Sequence, residues 1–294
     1  MLKDFGQVLT AMVTPFTPTG EINYQAAEEL ALMLIKNGSD ALVVAGTTGE
    51  GPVLSEDEKI RLFSFVKEVV GDKALVLAGT GNYDTAASVK LSQRAEAVGV
   101  DGVMLVVPYY NKPSQEGLYQ HFKIIAESIK LPILLYNVPS RTSKNLEPAT
   151  VKRLSEIKNI IALKEAACDL DQASELCRVT SEDFLVYSGD DSYTLPILSV
   201  GGHGVVSVAA HLVGKKIKKM ITDFKNGDVK EATATHLELF PLIKSLFMVS
   251  NPVPVKAALQ ILGYKVGEVK LPLVPLTAEE KSVLFNKLKE FRLV

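Results

Sequence analysis

Lys164 closes the run Ile160-Ile161-Ala162-Leu163-Lys164-Glu165-Ala166, which reads as an apolar strand of the kind parallel sheets bury on both faces. An ammonium at the end of such a strand is costly unless it is paired or held neutral. A free lysine titrates near ~10.4, so half-neutrality near pH ~7.4 needs a shift of about 3 units, roughly 4 kcal/mol against the charged form. Desolvation or a neighbouring cation supplies shifts of that size. A neutral amine there could attack a ketone and form a Schiff base. The competing reading is a lysine that snorkels its head out to solvent.

Four further groups carry chemistry. The loop Gly46-Thr47-Thr48-Gly49-Glu50-Gly51 has small residues whose amides can turn toward an anion, with two hydroxyls as added donors. Its spacing fits neither the P-loop nor the dinucleotide fingerprint, which favours a carboxylate over a nucleotide phosphate. The plainer reading is a loop leading to a helix cap at Ser55. Tyr136 ends another apolar run, and its phenol can both donate and accept a proton, although half-buried strand-end tyrosines are common. Arg141 could hold a carboxylate bidentately or lie solvated in its loop. Tyr109 and Tyr110 fit either a site or a subunit interface.

Other motifs are read as structural. Asp190-Asp191 is expected to cap the helix that follows. Gly201-Gly202-His203-Gly204 is expected to be a tight helix-to-strand turn. His121, His203, His211 and His236 show no short metal-ligand spacing, so no metal is expected.

The elements that must position these groups follow one recurring pattern: an apolar run, a loop of Gly, Thr, Pro or Asn, then an amphipathic stretch. Strands are expected near residues 8–13, 41–44, 74–78, 102–106, 133–136, 160–164, 184–188 and 204–208. Ala27, Leu30, Ala31, Leu34 and Ile35 form a helical stripe that stops at Gly38, and Ser55 with Glu58 makes a capping box. Gly71, Gly99 and Gly201 are expected to close later helices. Eight strands alternating with helices predict an α/β chain folded as an eight-fold β/α (TIM) barrel over residues 1–210, with an open doubly wound sheet as competitor. Residues 211–294 read as a C-terminal helical extension, with helices near 215–224, 229–249, 255–262 and 278–291. In a barrel the loops at 46–51, 108–111 and 137–141, with Lys164 and residues 188–191, all stand at the C-terminal mouth, where barrel enzymes work.

The chain has 294 residues and a formal net charge of −2, from 32 basic and 34 acidic residues without long like-charge blocks. That balance argues against nucleic acid or an anionic membrane as partner. The segment Met1-Leu2-Lys3-Asp4-Phe5-Gly6 lacks the apolar core of a signal peptide, and no run approaches membrane-spanning length. Cys168 and Cys177, expected in one helix and too far apart for an easy disulfide, read as reduced thiols and place the chain in the cytoplasm.

Taken in order, Thr14-Pro15-Phe16, Gly46-Thr47-Thr48-Gly49-Glu50, Pro108-Tyr109-Tyr110-Asn111-Lys112-Pro113, Tyr136-Asn137-Val138-Pro139, Leu163-Lys164-Glu165-Ala166, Gly201-Gly202-His203-Gly204-Val205-Val206-Ser207 and Asn251-Pro252-Val253-Pro254-Val255-Lys256 resemble the dihydrodipicolinate synthase family of pyruvate-dependent class I aldolases. The resemblance covers nearly the whole chain. It implies that Lys164 forms an imine with pyruvate, whose carboxylate rests on Thr47 and Thr48. The derived enamine would attack L-aspartate 4-semialdehyde and give 4-hydroxy-tetrahydrodipicolinate, in the lysine and diaminopimelate pathway. Tyr136, Thr47 and Tyr110 would form a proton relay, with Tyr110 supplied by a neighbouring subunit. Arg141 would receive the semialdehyde carboxylate, while Gly189 and Val206 line the pyruvate pocket. The resemblance further implies a homotetramer built from tight dimers, without metal or organic cofactor.

Sialic acid lyases and keto-deoxy sugar acid aldolases are similar in scaffold, lysine and tyrosine, and typically lack an arginine like Arg141. A barrel that binds pyruvate without turning it over is a further alternative. Lysine-inhibited members carry acidic or histidine contacts at positions matched here by Lys59 and Ala87, near the dimer interface. Weak or absent lysine feedback is therefore expected.

Overall fold

The computed structural model describes residues 4–294; Met1, Leu2 and Lys3 of the segment read for a signal peptide lie outside it. Eight parallel strands run in sequence order: β1 (Val8–Ala11), β2 (Ala41–Val44), β3 (Leu75–Gly79), β4 (Gly102–Val106), β5 (Ile133–Asn137), β6 (Ile160–Glu165), β7 (Leu185–Ser188) and β8 (Gly204–Ser207). β1 pairs with both β2 and β8, so the sheet closes into a barrel and the open-sheet competitor is excluded. All eight apolar runs become strands. The largest change is at β1, which ends at Ala11 instead of residue 13.

Alternation of side chains decides what each strand supplies. In β2, Ala41 and Val43 point into the barrel with Leu9, Leu77, Leu134 and Ala162. Leu42 and Val44 point outward and pack with helix residues such as Leu30, Leu62 and Phe63. Both faces are apolar because both are covered, which is why the strands read as continuous apolar runs.

The helices end where their caps allow. Asn23 accepts a hydrogen bond from the Ala26 amide to begin helix Tyr24–Lys36, and Gly38 follows its end at φ 98°. The Ser55–Glu58 capping box opens helix Glu56–Val70. The two cysteines do not share a helix, contrary to expectation. Asp169 caps helix Leu170–Val179 by accepting from the Gln172 amide, so Cys168 falls before it, at φ 56°.

At the N-terminal end of the barrel lies the turn Gly201–Gly204. A Cβ on Gly204 would stand 2.1 Å from the carbonyl oxygen of Gln7, so only glycine fits. His203 reaches Asp4 there, at the end opposite the C-terminal mouth. Beyond β8, helices Ala210–Lys225, Val229–Ser245, Val253–Ile261 and Ala278–Glu290 complete the chain. The first begins five residues earlier than its periodicity suggests, with a kink at Val213 (φ −131°) separating that first turn from the regular helix, and the Ser207 hydroxyl accepts from the Ala210 amide at 2.8 Å. Among the described residues no helix is long and apolar enough to cross a membrane.

Candidate active site

Lys164 and Ala162 share the inward face of β6, and Tyr136 and Leu134 the inward face of β5. Parallel pairing puts Tyr136 and Lys164 in register. The Lys164 Nζ consequently lies 4.1 Å from the centre of the Tyr136 ring. Lys164 is only 5 % exposed, so the snorkelling alternative does not apply.

Burial lowers the Lys164 pKa to about 8; Arg141 adds to the depression, while Asp191 and Asp190 oppose it. At pH ~7.4 such an amine is roughly one-fifth neutral, against about one part in a thousand for a free lysine. The Tyr136 pKa moves the other way, to about 12, chiefly through burial, with Arg141 and the Thr47 hydroxyl opposing the rise. One buried layer thus holds a partly neutral amine beside a protonated phenol.

The loop after β2 is held from several sides. Its Thr14 contact runs from the threonine hydroxyl to the Gly49 carbonyl at 2.6 Å. The Asn251 amide donates to the buried Thr48 hydroxyl at 2.8 Å. Gly51 has no room for a side chain, since a Cβ would stand 2.1 Å from the Ala45 carbonyl oxygen. Arg141 sits on the short helix Pro139–Thr142 and donates to the Asn251 carbonyl at 3.4 Å. Gly189 backs onto the lysine: a Cβ there would meet Ala166 Cβ at 2.6 Å and Lys164 Cγ at 3.1 Å. Val206 belongs to the barrel-interior cluster with Tyr136 and Ala162.

A cavity of about 210 Å³ opens at this mouth, lined among others by Gly46, Thr47, Tyr109, Tyr136, Arg141 and Lys59. Lys164 is not among the lining residues and meets the cavity through the Tyr136 ring, which is. Tyr110 is the one expected relay residue that this chain does not bring in. Its backbone is left-handed at φ 71° and it is 92 % exposed. Its neighbour Tyr109 lines the cavity instead and stacks edge-on with Tyr83, ring centres 5.2 Å apart.

Sequence reasoning missed three contributors. Asn251 was only a motif letter, yet it touches both Thr48 and Arg141. Asp191 is not a helix cap; Asp190 alone caps, by accepting from the Ser192 amide at 2.8 Å. Asp191 is buried and accepts from the Ser207 hydroxyl and from the Val208 and Ala209 amides, tying the end of β7 to β8. Burial raises its pKa, and those three hydrogen bonds act against the rise. Lys59, expected as an effector position near the dimer interface, also lines this cavity, with its pKa lowered by burial. None has a local signal, because each acts across a long sequence separation.

Comparison with known proteins gives a consistent picture. The profile of the Dihydrodipicolinate synthetase family matches residues 4–291. The 4-hydroxy-tetrahydrodipicolinate synthase of Moorella thermoacetica is 60% identical over 286 residues, 97% of this chain and 98% of that protein. Dihydrodipicolinate synthase from Bacillus anthracis superimposes with a TM-score of 0.95 at 51% identity, covering 97% of this chain and 98% of that one. The enzyme from Cyanidioschyzon merolae, in a crystal structure with lysine bound, gives a TM-score of 0.97 at 46% identity, with 99% of each chain covered.

Proposed function

The chain belongs to the dihydrodipicolinate synthetase family, and we propose that its barrel mouth joins pyruvate to L-aspartate 4-semialdehyde to give 4-hydroxy-tetrahydrodipicolinate. The observation that carries the mechanism is the buried Lys164 amine over the Tyr136 ring. The chemistry is that of a Schiff-base-forming lyase of lysine biosynthesis.

Neutral Lys164 attacks the pyruvate ketone to form a carbinolamine. Tyr136, protonated at working pH, donates to the departing hydroxyl, and water leaves as the imine forms. Loss of a methyl proton gives the enamine, whose carbon attacks the semialdehyde carbonyl. The substrate's own amine then displaces Lys164 by attacking the imine carbon. One water is released overall, and the lysine is regenerated. Thr47 and Thr48 hold the pyruvate carboxylate, with Gly189 and Val206 shaping the space around it; Arg141 takes the semialdehyde carboxylate. Tyr110 completes the relay from a second subunit, within a homotetramer of tight dimers in the cytoplasm. The exposure of Tyr110 supports this role in trans. Residues 211–294 form a unit packed on the barrel of residues 1–210 and lend Asn251 to the site.

The test offers purified protein pyruvate with L-aspartate 4-semialdehyde, N-acetylmannosamine or glyceraldehyde. Turnover confined to the semialdehyde, lost in Lys164→Ala and much reduced in Arg141→Ala, supports the proposal. Turnover confined to a sugar aldehyde keeps the Schiff base and overturns the substrate assignment.

A further inference from the structure

We infer that the buried Glu50–Lys256 ion pair is a brace through which the C-terminal helical region positions the Thr47–Thr48 anion cradle. The inference rests on the reading that this cradle takes the pyruvate carboxylate.

Glu50 stands two residues beyond Thr48, and nothing in the proposed chemistry uses it. Its side chain and that of Lys256 are 1 % and 2 % exposed, and they meet at 2.8 Å. Both oxygens of Glu50 are committed to the C-terminal region: Oε1 accepts from Lys256 Nζ, and Oε2 accepts from the Lys270 amide at 2.8 Å. Lys256 also donates to the Glu268 carbonyl at 2.9 Å and lies 4.3 Å from the centre of the Phe16 ring. Burial lowers its pKa, and Glu50 is the main influence holding it up.

Three features point to positioning over simple stabilisation. A buried ion pair contributes little net stability compared with apolar residues of the same shape, so filling space does not require one. Glu50 occupies a left-handed backbone position at φ 54°, which the Cβ of any residue but glycine disfavours. From that position its amide donates to the Thr47 carbonyl at 3.0 Å, so the residue gripped by Lys256 also closes the turn carrying Thr47. Asn251, from the same C-terminal region, grips Thr48 directly. Cradle amides and hydroxyls must be held to a fraction of an ångström to favour a bound carboxylate. Directional, charge-assisted hydrogen bonds do that better than apolar packing.

The experiment compares Glu50→Gln, Lys256→Met and the double variant Glu50→Gln/Lys256→Met with the wild-type enzyme. Either single change strands a buried charge or its partner and can unfold the chain, so the double variant, with neither charge present, is the decisive protein. Thermal melts establish that it folds. The expected result is a rise of about tenfold in KM for pyruvate, equivalent to ~1.4 kcal/mol, with KM for the semialdehyde within about twofold of wild type. Cyanoborohydride trapping of the Lys164 adduct should require correspondingly more pyruvate. A folded double variant with unchanged pyruvate KM overturns the brace, as does an equal rise in both KM values. Failure of the wild-type protein to trap pyruvate at all overturns the proposed function itself, a result distinguishable from either.

Discussion

Tyr136 and Lys164 are register partners across β5 and β6, and the amine of one rests 4.1 Å from the ring centre of the other. The pairing is a consequence of barrel closure: inward positions on neighbouring parallel strands face the same water-poor interior. There desolvation pushes the two pKa values in opposite directions, the amine down to about 8 and the phenol up to about 12. A nucleophile and a proton donor result from the same burial.

The rate of pyruvate adduct formation should therefore rise with pH along a limb centred near 8, where Lys164 loses its proton. Arg141 contributes to that depression, so Arg141→Ala should move the limb to higher pH while also raising KM for the semialdehyde. Cyanoborohydride trapping across the pH range measures both. A limb at the ordinary lysine value of ~10.4 would show that the amine reacts from a solvated position.

Stability should carry the opposite mark. A lysine whose folded pKa is about 8, against ~10.4 unfolded, penalises the folded state by about 3 kcal/mol wherever it is charged in both states. The penalty is fully present below pH 8 and disappears as pH rises through the unfolded value. Lys164→Met, close in volume, should melt higher than wild type at pH ~7 and lose that advantage by pH ~10.5. Equal melting temperatures at neutral pH would indicate that the ammonium is well compensated.

If Tyr110 serves a neighbouring subunit, two dead variants should rescue each other. Tyr136→Phe and Tyr110→Phe subunits mixed in one assembly leave about a quarter of the sites with both wild-type tyrosines. Co-expression with different affinity tags and assay of the purified hybrid gives the answer. Activity no greater than the two singles combined would falsify the contribution in trans.

Lysine should inhibit weakly. Lys59 lines the cavity as a half-buried cation, where it repels an incoming ammonium and offers no acceptor. Half-inhibition of the wild-type chain by less than about 1 mM lysine would contradict this, since affinity of that order needs ~4 kcal/mol of favourable contact. Lys59→Glu should increase lysine binding, read by calorimetry.

Most of the barrel was legible because each strand had to be apolar on both faces, and loops between short apolar runs had to be polar. Lys164 stood out for breaking its run, and Tyr136 and the Thr47-Thr48 pair for standing at strand ends. The misread elements have different causes. Whether Asp191 caps its own helix or reaches the Ser207 hydroxyl depends on where β8 lies beside β7, and no local pattern encodes that. Cys168 is expected in one helix with Cys177, whereas the Asp169 cap starts that helix after it.

The sequence by itself determined the eight-fold alternation, the chemistry available at each strand end and the family to which the chain belongs. These depend on local hydrophobic period and on residue identity. Tertiary structure decided how those groups act on one another: the register that sets Lys164 over Tyr136, the burial that separates their pKa values, and the reach of Asn251 and Lys256 across some 200 residues to the β2 loop. Such couplings arise from desolvation and from contacts distant in sequence, which exist only once the barrel has closed.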